Sequence, residues 1–120
     1  MKPTVTINET LMNHDTVILK IIEYGPWTEN RFDLEYERFQ ERVYNTVLYA
    51  TEGYLLKKEP KAKGKKVIVR VECSDLPMEE VTEALNGIDA TFQKGGDNHS
   101  YLVENENISG LEFETFDRQK

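Results

Sequence analysis

The stretch that decides the fold runs from Thr16 to Tyr24 and reads TVILKIIEY. It is rich in β-branched residues and nearly continuously apolar, which is typical of a strand buried on both faces of a sheet. Gly25 and Pro26 follow at once and are expected to end the strand. The pattern therefore predicts a central β-strand, around which the other segments are placed.

A long helix is predicted directly after this strand. Asn30 is interpreted as its N-terminal cap, with Asp33 at the third helical position, and Gly53 stands where a left-handed C-terminal cap is expected. Apolar side chains recur at spacings of three and four, which places them on one face of a helix. They are Phe32, Tyr36, Phe39, Val43, Val47, Ala50 and Tyr54.

The segments on either side supply further strands and a second helix. Thr4–Ile7 is predicted as a short first strand, followed by a turn-rich connection, NETLMNHD. Lys66–Cys73 alternates polar and apolar residues, so Val67, Val69, Val71 and Cys73 are expected on one face of a strand. A shorter helix is expected to start at a cap on Ser74 or Asp75, with Pro77 in its first turn and Val81, Ala84 and Leu85 as its inner stripe, and to end at Gly87.

The C-terminal third is interpreted as β-structure. Ile88–Phe92 and Tyr101–Val103 are predicted to pair as a hairpin around the loop QKGGDNHS, and LEFETF, starting at Leu111, is the last strand. The chain is thus predicted to be one α+β domain over residues 1–120. Two helices would pack on one face of a mainly antiparallel sheet, in the order β-β-α-β-α-β-β-β.

Composition limits the functional classes. The chain has 120 residues and a net charge of −7, which argues against general nucleic-acid binding, since such binding is built by neutralising phosphates. Apolar runs are far shorter than a bilayer span, and the N-terminus lacks the apolar core of a signal peptide. Cys73 is the one cysteine, so no internal disulfide can form. These features predict a cytoplasmic protein without a membrane segment.

Seven of the fifteen basic residues lie between Lys57 and Arg70. We interpret residues 57–64 as a solvated loop, because Pro60 and Gly64 disfavour regular structure and the lysines would point in different directions. No Walker loop is present, and no aromatic residues alternate with the lysines. The alternative is a basic patch that binds an anion. Its residues would be Lys57, Lys58, Lys61 and Lys63.

Catalytic motifs are not found. GxSxG, HExxH, CxxC and glycine-rich phosphate fingerprints do not occur. Cys73 is interpreted as a small core residue, and His14 and His99 as turn residues beside Asp15 and Asp97. The sequence therefore predicts no catalytic residue, no bound metal and no cofactor.

Acidic residues and aromatic residues suggest a protein partner instead. Acids are spread over both predicted helices and the C-terminal end, and several together could form a surface for a basic protein. Tyr44 and Tyr49 fall off the apolar stripe and Trp27 stands at the helix entrance, so these are candidate exposed anchors. The predicted partner-binding residues are Trp27, Glu35, Glu37, Glu41 and Tyr44.

From Thr16 to Val71 the chain resembles a family of small uncharacterised bacterial αβ proteins. The features that match are the apolar strand, Trp27 soon after it, a long helix ending in YATEGYLLKKEP and the strand KGKKVIVRV; the helix opening LPMEE also fits. The family has no assigned activity, so the resemblance implies a fold and not a site.

Two classes of function stay open. The leading hypothesis is a non-enzymatic cytoplasmic binding protein, in its most concrete form an acidic immunity or inhibitor protein that covers the active site of a basic toxin, such as a nuclease. The alternative is a small-molecule or anion-binding protein, or an enzyme, that uses the basic loop at residues 57–66. A structural or interaction domain without such a site is the third possibility.

Overall fold

The structure, a computed structural model, describes residues 7–93, 95–97 and 108–118. These residues form an α+β fold in the order β-β-α-α-β-α-β. Single 3-10 turns occur at Glu29–Arg31 and Pro60–Ala62. The strands and helices are β1 (Glu9–Met12), β2 (Thr16–Tyr24), α1 (Phe32–Thr51), α2 (Tyr54–Lys58), β3 (Lys66–Ser74), α3 (Met78–Phe92) and β4 (Gly110–Asp117).

The four strands of the described residues form one mixed sheet in the order β1-β2-β3-β4. β1 pairs with β2 in the antiparallel direction, whereas β2–β3 and β3–β4 are parallel. The prediction of a mainly antiparallel sheet is therefore wrong. The physical reason is that β3 and β4 are each reached by a helical crossover, which returns the chain in the same direction, and only β1 and β2 are joined by a tight turn.

One face of the sheet, here called the covered face, forms the hydrophobic core. The alternate residues Val17, Leu19 and Ile21 of β2 are fully buried there, as are Val67, Val69, Val71 and Cys73 of β3. The buried stripes of α1 and α3 belong to the same core cluster. The predicted buried face of the third strand is thus confirmed.

The opposite face of the sheet, here called the open face, carries the other half of each strand. Its residues on β2 and β3 are half-buried or exposed, and Lys20 and Arg70 lie among them. β2 has the predicted bounds, but the prediction that it is buried on both faces is wrong. No described helix lies on this side, because α1 and α3 both pack on the covered face.

Helix α1 carries the predicted apolar stripe. Phe39, Val43, Val47 and Ala50 are fully buried, and the end residues of the stripe are partly buried. Gly53 has φ 89°, which confirms the left-handed position after the helix.

The predicted cap of α1 at Asn30 is wrong. A 3-10 turn precedes the helix, and Arg31 occupies the cap position without a side-chain hydrogen bond. The Asn30 side chain accepts a hydrogen bond from the hydroxyl of Thr28 instead, at 3.1 Å. An asparagine that bonds locally in this way is not available to cap a helix.

The first strand lies later in the chain than predicted. Glu9–Met12 form β1 within the segment interpreted as a connection, while Ile7 is outside any strand and residues 4–6 are outside the described ranges. The cause is Asn13, whose Oδ1 accepts hydrogen bonds from the backbone N–H groups of Asp15 and Thr16. This side-chain turn reverses the chain within three residues and pairs the preceding residues with β2.

Helix α3 is longer than predicted. It continues through Gly87, where an end was expected, so the predicted strand at Ile88–Phe92 is its last part. Phe92 is fully buried on the same face as Val81, and Gly87 is exposed, where glycine costs a helix only about 1 kcal/mol. The predicted hairpin is therefore wrong, and its second strand, 101–103, lies outside the described residues.

The start of α3 also differs from the prediction. Pro77 occupies the cap position, and neither Ser74, the last residue of β3, nor Asp75 caps the helix with its side chain. Asp75 has φ 58°, a left-handed conformation that turns the chain between β3 and the helix. Gly25 approaches this turn so closely that a Cβ would lie 1.8 Å from the Asp75 carbonyl oxygen, so only glycine fits there.

The basic segment is more regular than predicted. Lys57 and Lys58 end helix α2, and Pro60–Ala62 form a 3-10 turn whose Ala62 is fully buried. The loop expected over residues 57–64 is thus reduced to short breaks. Within the described ranges, no helix has both the length and the apolar character needed to cross a bilayer.

Candidate functional site

A buried ion cluster lies at the end of β2 on the covered face. The Glu23 side chain is only 3 % exposed, and Arg38 of α1 binds it with two hydrogen bonds, Nη1 to Oε1 at 3.2 Å and Nη2 to Oε2 at 2.8 Å. Arg42, one turn later, donates from Nη1 to Oε1 at 2.7 Å. We call Glu23, Arg38 and Arg42 the Glu23 cluster.

The Glu23 cluster also ties the backbone of β2 to the segment before β1. Arg42 donates to the carbonyl oxygen of Ile22 at 3.0 Å and to Oδ1 of Asn8 at 3.0 Å. The same Asn8 oxygen accepts the backbone N–H of Ile22 at 2.7 Å. One arginine therefore connects three separate parts of the chain.

The two arginines of the Glu23 cluster favour the ionised form of Glu23. Burial opposes ionisation, but hydrogen bonds from Arg38 and Arg42, together with their charges, outweigh it and lower the pKa of Glu23 below its ordinary value. A general base needs a pKa near neutral pH and access to a proton. This carboxylate has neither, so the cluster has a structural role.

Cys73 lies beside Glu23 across the β2–β3 register. It is fully buried, which confirms the prediction of a core residue. Burial, followed by the negative charges of Glu23 and Asp117, raises the pKa of the Cys73 thiol to about 11. The thiolate is the reactive form of cysteine, so this residue does not act as a nucleophile near neutral pH.

The carboxyl ends of β2 and β3 form the edge where parallel sheets commonly bind ligands. A cleft of about 350 Å³ is present there, lined by Pro26, Thr28, Arg31 and Glu35. Its two charged side chains lie 3.8 Å apart and neutralise each other. Over the residues that the structure describes, no three His, Cys, Asp or Glu side chains are grouped closely enough to hold a metal.

The predicted acids on α1 divide into two groups. Glu37 and Glu41 are exposed, one turn apart, on the side of α1 away from the sheet. Glu35 is half-buried beside Arg31 and Arg38. The first two point to solvent, whereas Glu35 belongs to the charged surroundings of the Glu23 cluster.

Helix α3 repeats this arrangement. Glu79 and Glu83 are exposed and lie one turn apart, opposite the buried residues Val81 and Leu85. Because α1 and α3 pack in the same core on the covered face, all four acids lie on the side of the molecule away from the sheet. We call Glu37, Glu41, Glu79 and Glu83 the acidic helix surface.

The predicted aromatic anchors lie mostly inside the molecule. Trp27 is buried and packs edge-on against Phe32 and Tyr36, with ring centroids 5.9 and 6.3 Å apart. Tyr49 is buried, and Tyr44 is half-buried against Phe92, at 6.1 Å. The expectation of exposed anchors is wrong for the two buried residues. That Trp27 or Tyr44 binds a partner stays a prediction.

The lysines of the basic segment do not form one patch. Lys57 and Lys58 line a cleft of about 510 Å³ with Tyr49 and Tyr54. The Nζ atom of Lys57 lies 5.2 Å from the centre of the Tyr54 ring. Lys61 and Lys63 are exposed and do not line this cleft. Lys65 donates to the carbonyl oxygen of Asn13, and Lys66 to Glu112 at 3.1 Å.

Sequence reasoning missed the Glu23 cluster. Glu23 is 15 and 19 residues from its two arginines, so no local motif joins them. A signal does exist in the strand alternation, since Glu23 has the same parity as Val17, Leu19 and Ile21 and therefore points toward the core. A carboxylate in that position requires a cation, and two arginines spaced by four on the next helix could supply it.

Comparisons with models of protein families, with curated proteins and with solved structures find no match to this chain. The resemblance to a family of small bacterial αβ proteins therefore stays a prediction.

Proposed function

We propose that this protein is a non-enzymatic binding protein whose acidic helix surface covers a basic protein. In the form we favour, it is a cytoplasmic immunity or inhibitor protein that neutralises a basic toxin, such as a nuclease, by covering the toxin's active site. The observation that carries the proposal is the concentration of negative charge on the outer side of α1 and α3.

The charge count of the helical segments supports this choice. Residues 29–52 and 78–92 contain ten acidic and three basic side chains. Two of the three bases, Arg38 and Arg42, are engaged with Glu23, which neutralises one of their two charges. A surface of one sign raises the rate at which an oppositely charged protein is captured.

The spacing of the acids also favours a role in binding. Glu37 and Glu41 are four residues apart on one helix, and so are Glu79 and Glu83. Like charges at this spacing destabilise a helix by about 0.2–0.5 kcal/mol per pair. Helix stability therefore does not account for them. Leu34, 65 % exposed, lies on the same side of α1 and offers an apolar contact beside the charges.

The experiment is affinity capture from the host with a matched pair of variants. Glu37→Lys with Glu41→Lys reverses two charges on the acidic helix surface. Asp15→Lys with Asp97→Lys makes the same change in net charge at exposed positions elsewhere. The proposal expects a basic protein that the wild type and the control retain and the first variant loses. Equal retention by both variants, or an acidic partner, would overturn it.

Kinetics with the captured protein test the mechanism. The association rate should fall markedly between about 0.05 M and about 0.5 M salt, because the screening length drops to a few ångström. Reversal of Glu37 and Glu41 should slow association more than it speeds dissociation. An association rate that does not respond to salt contradicts an electrostatic docking surface.

Anion binding is a second candidate, favoured by the cleft between Tyr49, Tyr54, Lys57 and Lys58. Calorimetric titration with inorganic phosphate tests it. Lys57→Ser with Lys58→Ser should abolish binding, while the matched change at Lys61 and Lys63, outside the cleft, should preserve it. If the lysines only solvate the chain, phosphate does not bind and all four changes together alter stability by less than about 1 kcal/mol.

A further inference from the structure

Exposed apolar residues concentrate on the open face of the sheet. Among the described residues, four large hydrophobic side chains are exposed, and three of them, Leu11, Tyr24 and Phe116, project from this face with exposed fractions between 37 and 64 %. Single exposed apolar residues are ordinary in monomers, whereas a contiguous apolar patch of more than a few hundred Å² marks an interaction surface. The fourth, Leu34, is on α1.

The strand register joins these residues to further apolar ones. Leu11 of β1 is directly opposite Ile18 of β2, and Ile18 is opposite Ile68 of β3. The next two residues of β2 on the same face are Lys20 and Ile22. Ile22 is opposite Glu72 of β3, and Glu72 is opposite Phe116 of β4. Two partly apolar rows thus cross the open face, with a charged row between them.

The charges of the open face are balanced and mutually paired. Lys20 lies 2.9 Å from Glu9 and 3.2 Å from Glu72, and Arg70 donates to Glu114 at 2.9 Å. Within the described ranges, the face and its rim hold four acids and four bases. They are Glu9, Glu72, Glu112 and Glu114, with Lys20, Lys66, Arg70 and Arg118.

This balance identifies the kind of partner that fits. A strongly charged protein gains nothing from a face of zero net charge and is drawn to the acidic helix surface or repelled by it. A second copy of the same face offers both signs and the same apolar rows, as a two-fold interface requires. The four acids of the acidic helix surface lie on the other side of the molecule, so their charges are kept away from such a contact.

Sheet architecture supplies an independent argument. Sheets made only of parallel strands occur almost only with both faces covered, whereas antiparallel sheets commonly leave one face to solvent. Here two of the three strand pairs are parallel, yet the described helices cover one face only. A second sheet packed on the open face completes the layer arrangement.

The available area sets the strength of the contact. Strands of nine residues are about 30 Å long, and four strands span about 19 Å at their normal spacing, so two copies would bury roughly 1,000 Å² after allowing for the shorter edge strands. Interfaces of this size are at the lower limit for specific association. We propose that this protein forms a weak homodimer through the open faces of its two sheets.

Such a dimer places two acidic helix surfaces on opposite outer sides, so that each dimer can hold two partner molecules. The proposal uses residues separate from those of the acidic helix surface. Either proposal can therefore fail while the other stands.

Sedimentation equilibrium of the wild type is the first test. The average mass should rise from one chain toward two between about 5 µM and about 500 µM, the range expected for an interface of this area. The rise should change little with salt, since the charges are already paired within each copy. A single-chain mass across this range would overturn the proposal and would leave the open face to a different protein or to residues outside the described ranges.

Variants then locate the interface. Phe116→Glu and Tyr24→Glu place a charge on the open face at exposed positions, and each should weaken dimerisation at least tenfold. Leu34→Glu is the matched control on α1 and should leave the dimer unchanged. Circular dichroism confirms that each variant is folded. Loss of the dimer in the control but not in Phe116→Glu or Tyr24→Glu would assign the contact to the helices and overturn the proposal.

The wild type gives a second measurement that does not depend on any variant. Methyl resonances of Ile18, Ile22 and Ile68 should shift with protein concentration, because these side chains become covered. Leu34 should not shift. Concentration-dependent shifts confined to α1 or α3 would place the contact elsewhere and contradict the proposal.

Discussion

Two arginine–glutamate pairs lie on opposite faces of the same sheet and have nearly the same geometry. Arg42 is 2.7 Å from Glu23 on the covered face, and Arg70 is 2.9 Å from Glu114 on the open face. The Glu23 side chain is 3 % exposed and that of Glu114 is 34 % exposed. Distance alone would rank the pairs as equal, but breaking a buried pair leaves a charge without solvent, whereas breaking a partly exposed pair leaves the remaining charge in contact with water.

The covered face and the open face differ in the same way over their whole area. On the covered face, the buried carboxylate of Glu23 is held by two arginines, so these residues are fixed by the fold. On the open face, charges and apolar side chains can change without loss of the core. Recognition is therefore expected on the open face and on the outer helix surface, while the Glu23 cluster maintains the framework that carries both.

The largest contrast is expected between two phenylalanines. Phe39→Ala removes a fully buried ring beneath the sheet and should lower the free energy of unfolding by about 3–5 kcal/mol. Phe116→Ala, on the open face, should lower it by less than about 1 kcal/mol. Urea unfolding of dilute protein measures both. Similar losses would mean that the open face is covered within a single chain.

The two ion pairs give the next contrast. Glu23→Gln should cost roughly 3 kcal/mol at neutral pH, because the mostly buried Arg42 loses its charged partner, although the exposed Arg38 can turn to solvent. Glu114→Gln makes the same chemical change and should cost less than about 1 kcal/mol, since Arg70 can turn to solvent. Chemical denaturation of the two variants under identical conditions decides the point. A loss as large for Glu114→Gln as for Glu23→Gln would show that burial does not set the difference.

Lowering the pH should reduce the difference in unfolding free energy between the wild type and Glu23→Gln. The pKa of Glu23 is lowered in the folded protein, so below the ordinary glutamate value of about 4.3 the unfolded chain binds a proton before the folded one does. The stabilisation by Glu23 is thus complete near neutral pH and declines as pH falls through this range. Unfolding free energies of both proteins at several pH values test it. A difference that grows in acid would contradict the assigned direction.

The smallest expected effect is on the alkylation rate of the Cys73 thiol. Its pKa of about 11 keeps the thiol protonated at pH 8.5, where an exposed cysteine is half ionised. Alkylation of the folded protein at this pH should be much slower than alkylation in urea. The rate should rise in Phe39→Ala if loosening of the core exposes the thiol. Equal rates in the folded and unfolded wild type would show that the covered face is accessible to reagents.

Local patterns in the sequence predicted several elements well. Thr16–Tyr24 needs only its β-branched apolar composition and the following Gly25 to be identified as a strand. The stripe from Phe39 to Ala50 identifies α1, and the alternation from Val67 to Cys73 identifies β3. In each case the residues that determine the element are neighbours along the chain.

Other features depend on contacts that composition does not record. Parallel pairing follows from where the crossovers run, and α3 continues past Gly87 because Phe92 reaches the core. The Glu23 cluster joins residues from a strand and a helix, so it becomes visible only when strand parity and helix spacing are considered together. The seven clustered basic residues were conspicuous in the sequence, yet Lys57 and Lys58 line a cleft that Lys61 and Lys63 do not line.

The parallel register of the sheet has a consequence for how the chain folds. Thr16 pairs with Lys66 and Tyr24 with Ser74, so each contact closes a loop of 50 residues, and pairings this distant slow folding. At a synthesis rate of about 5–20 residues per second, β3 is made roughly 3–10 s after β2. β1 pairs with β2 through the turn at Asn13 and can cover one edge of it at once. The short hairpin thus closes one of the two edges of the most apolar strand to other chains while the rest of the protein is being made.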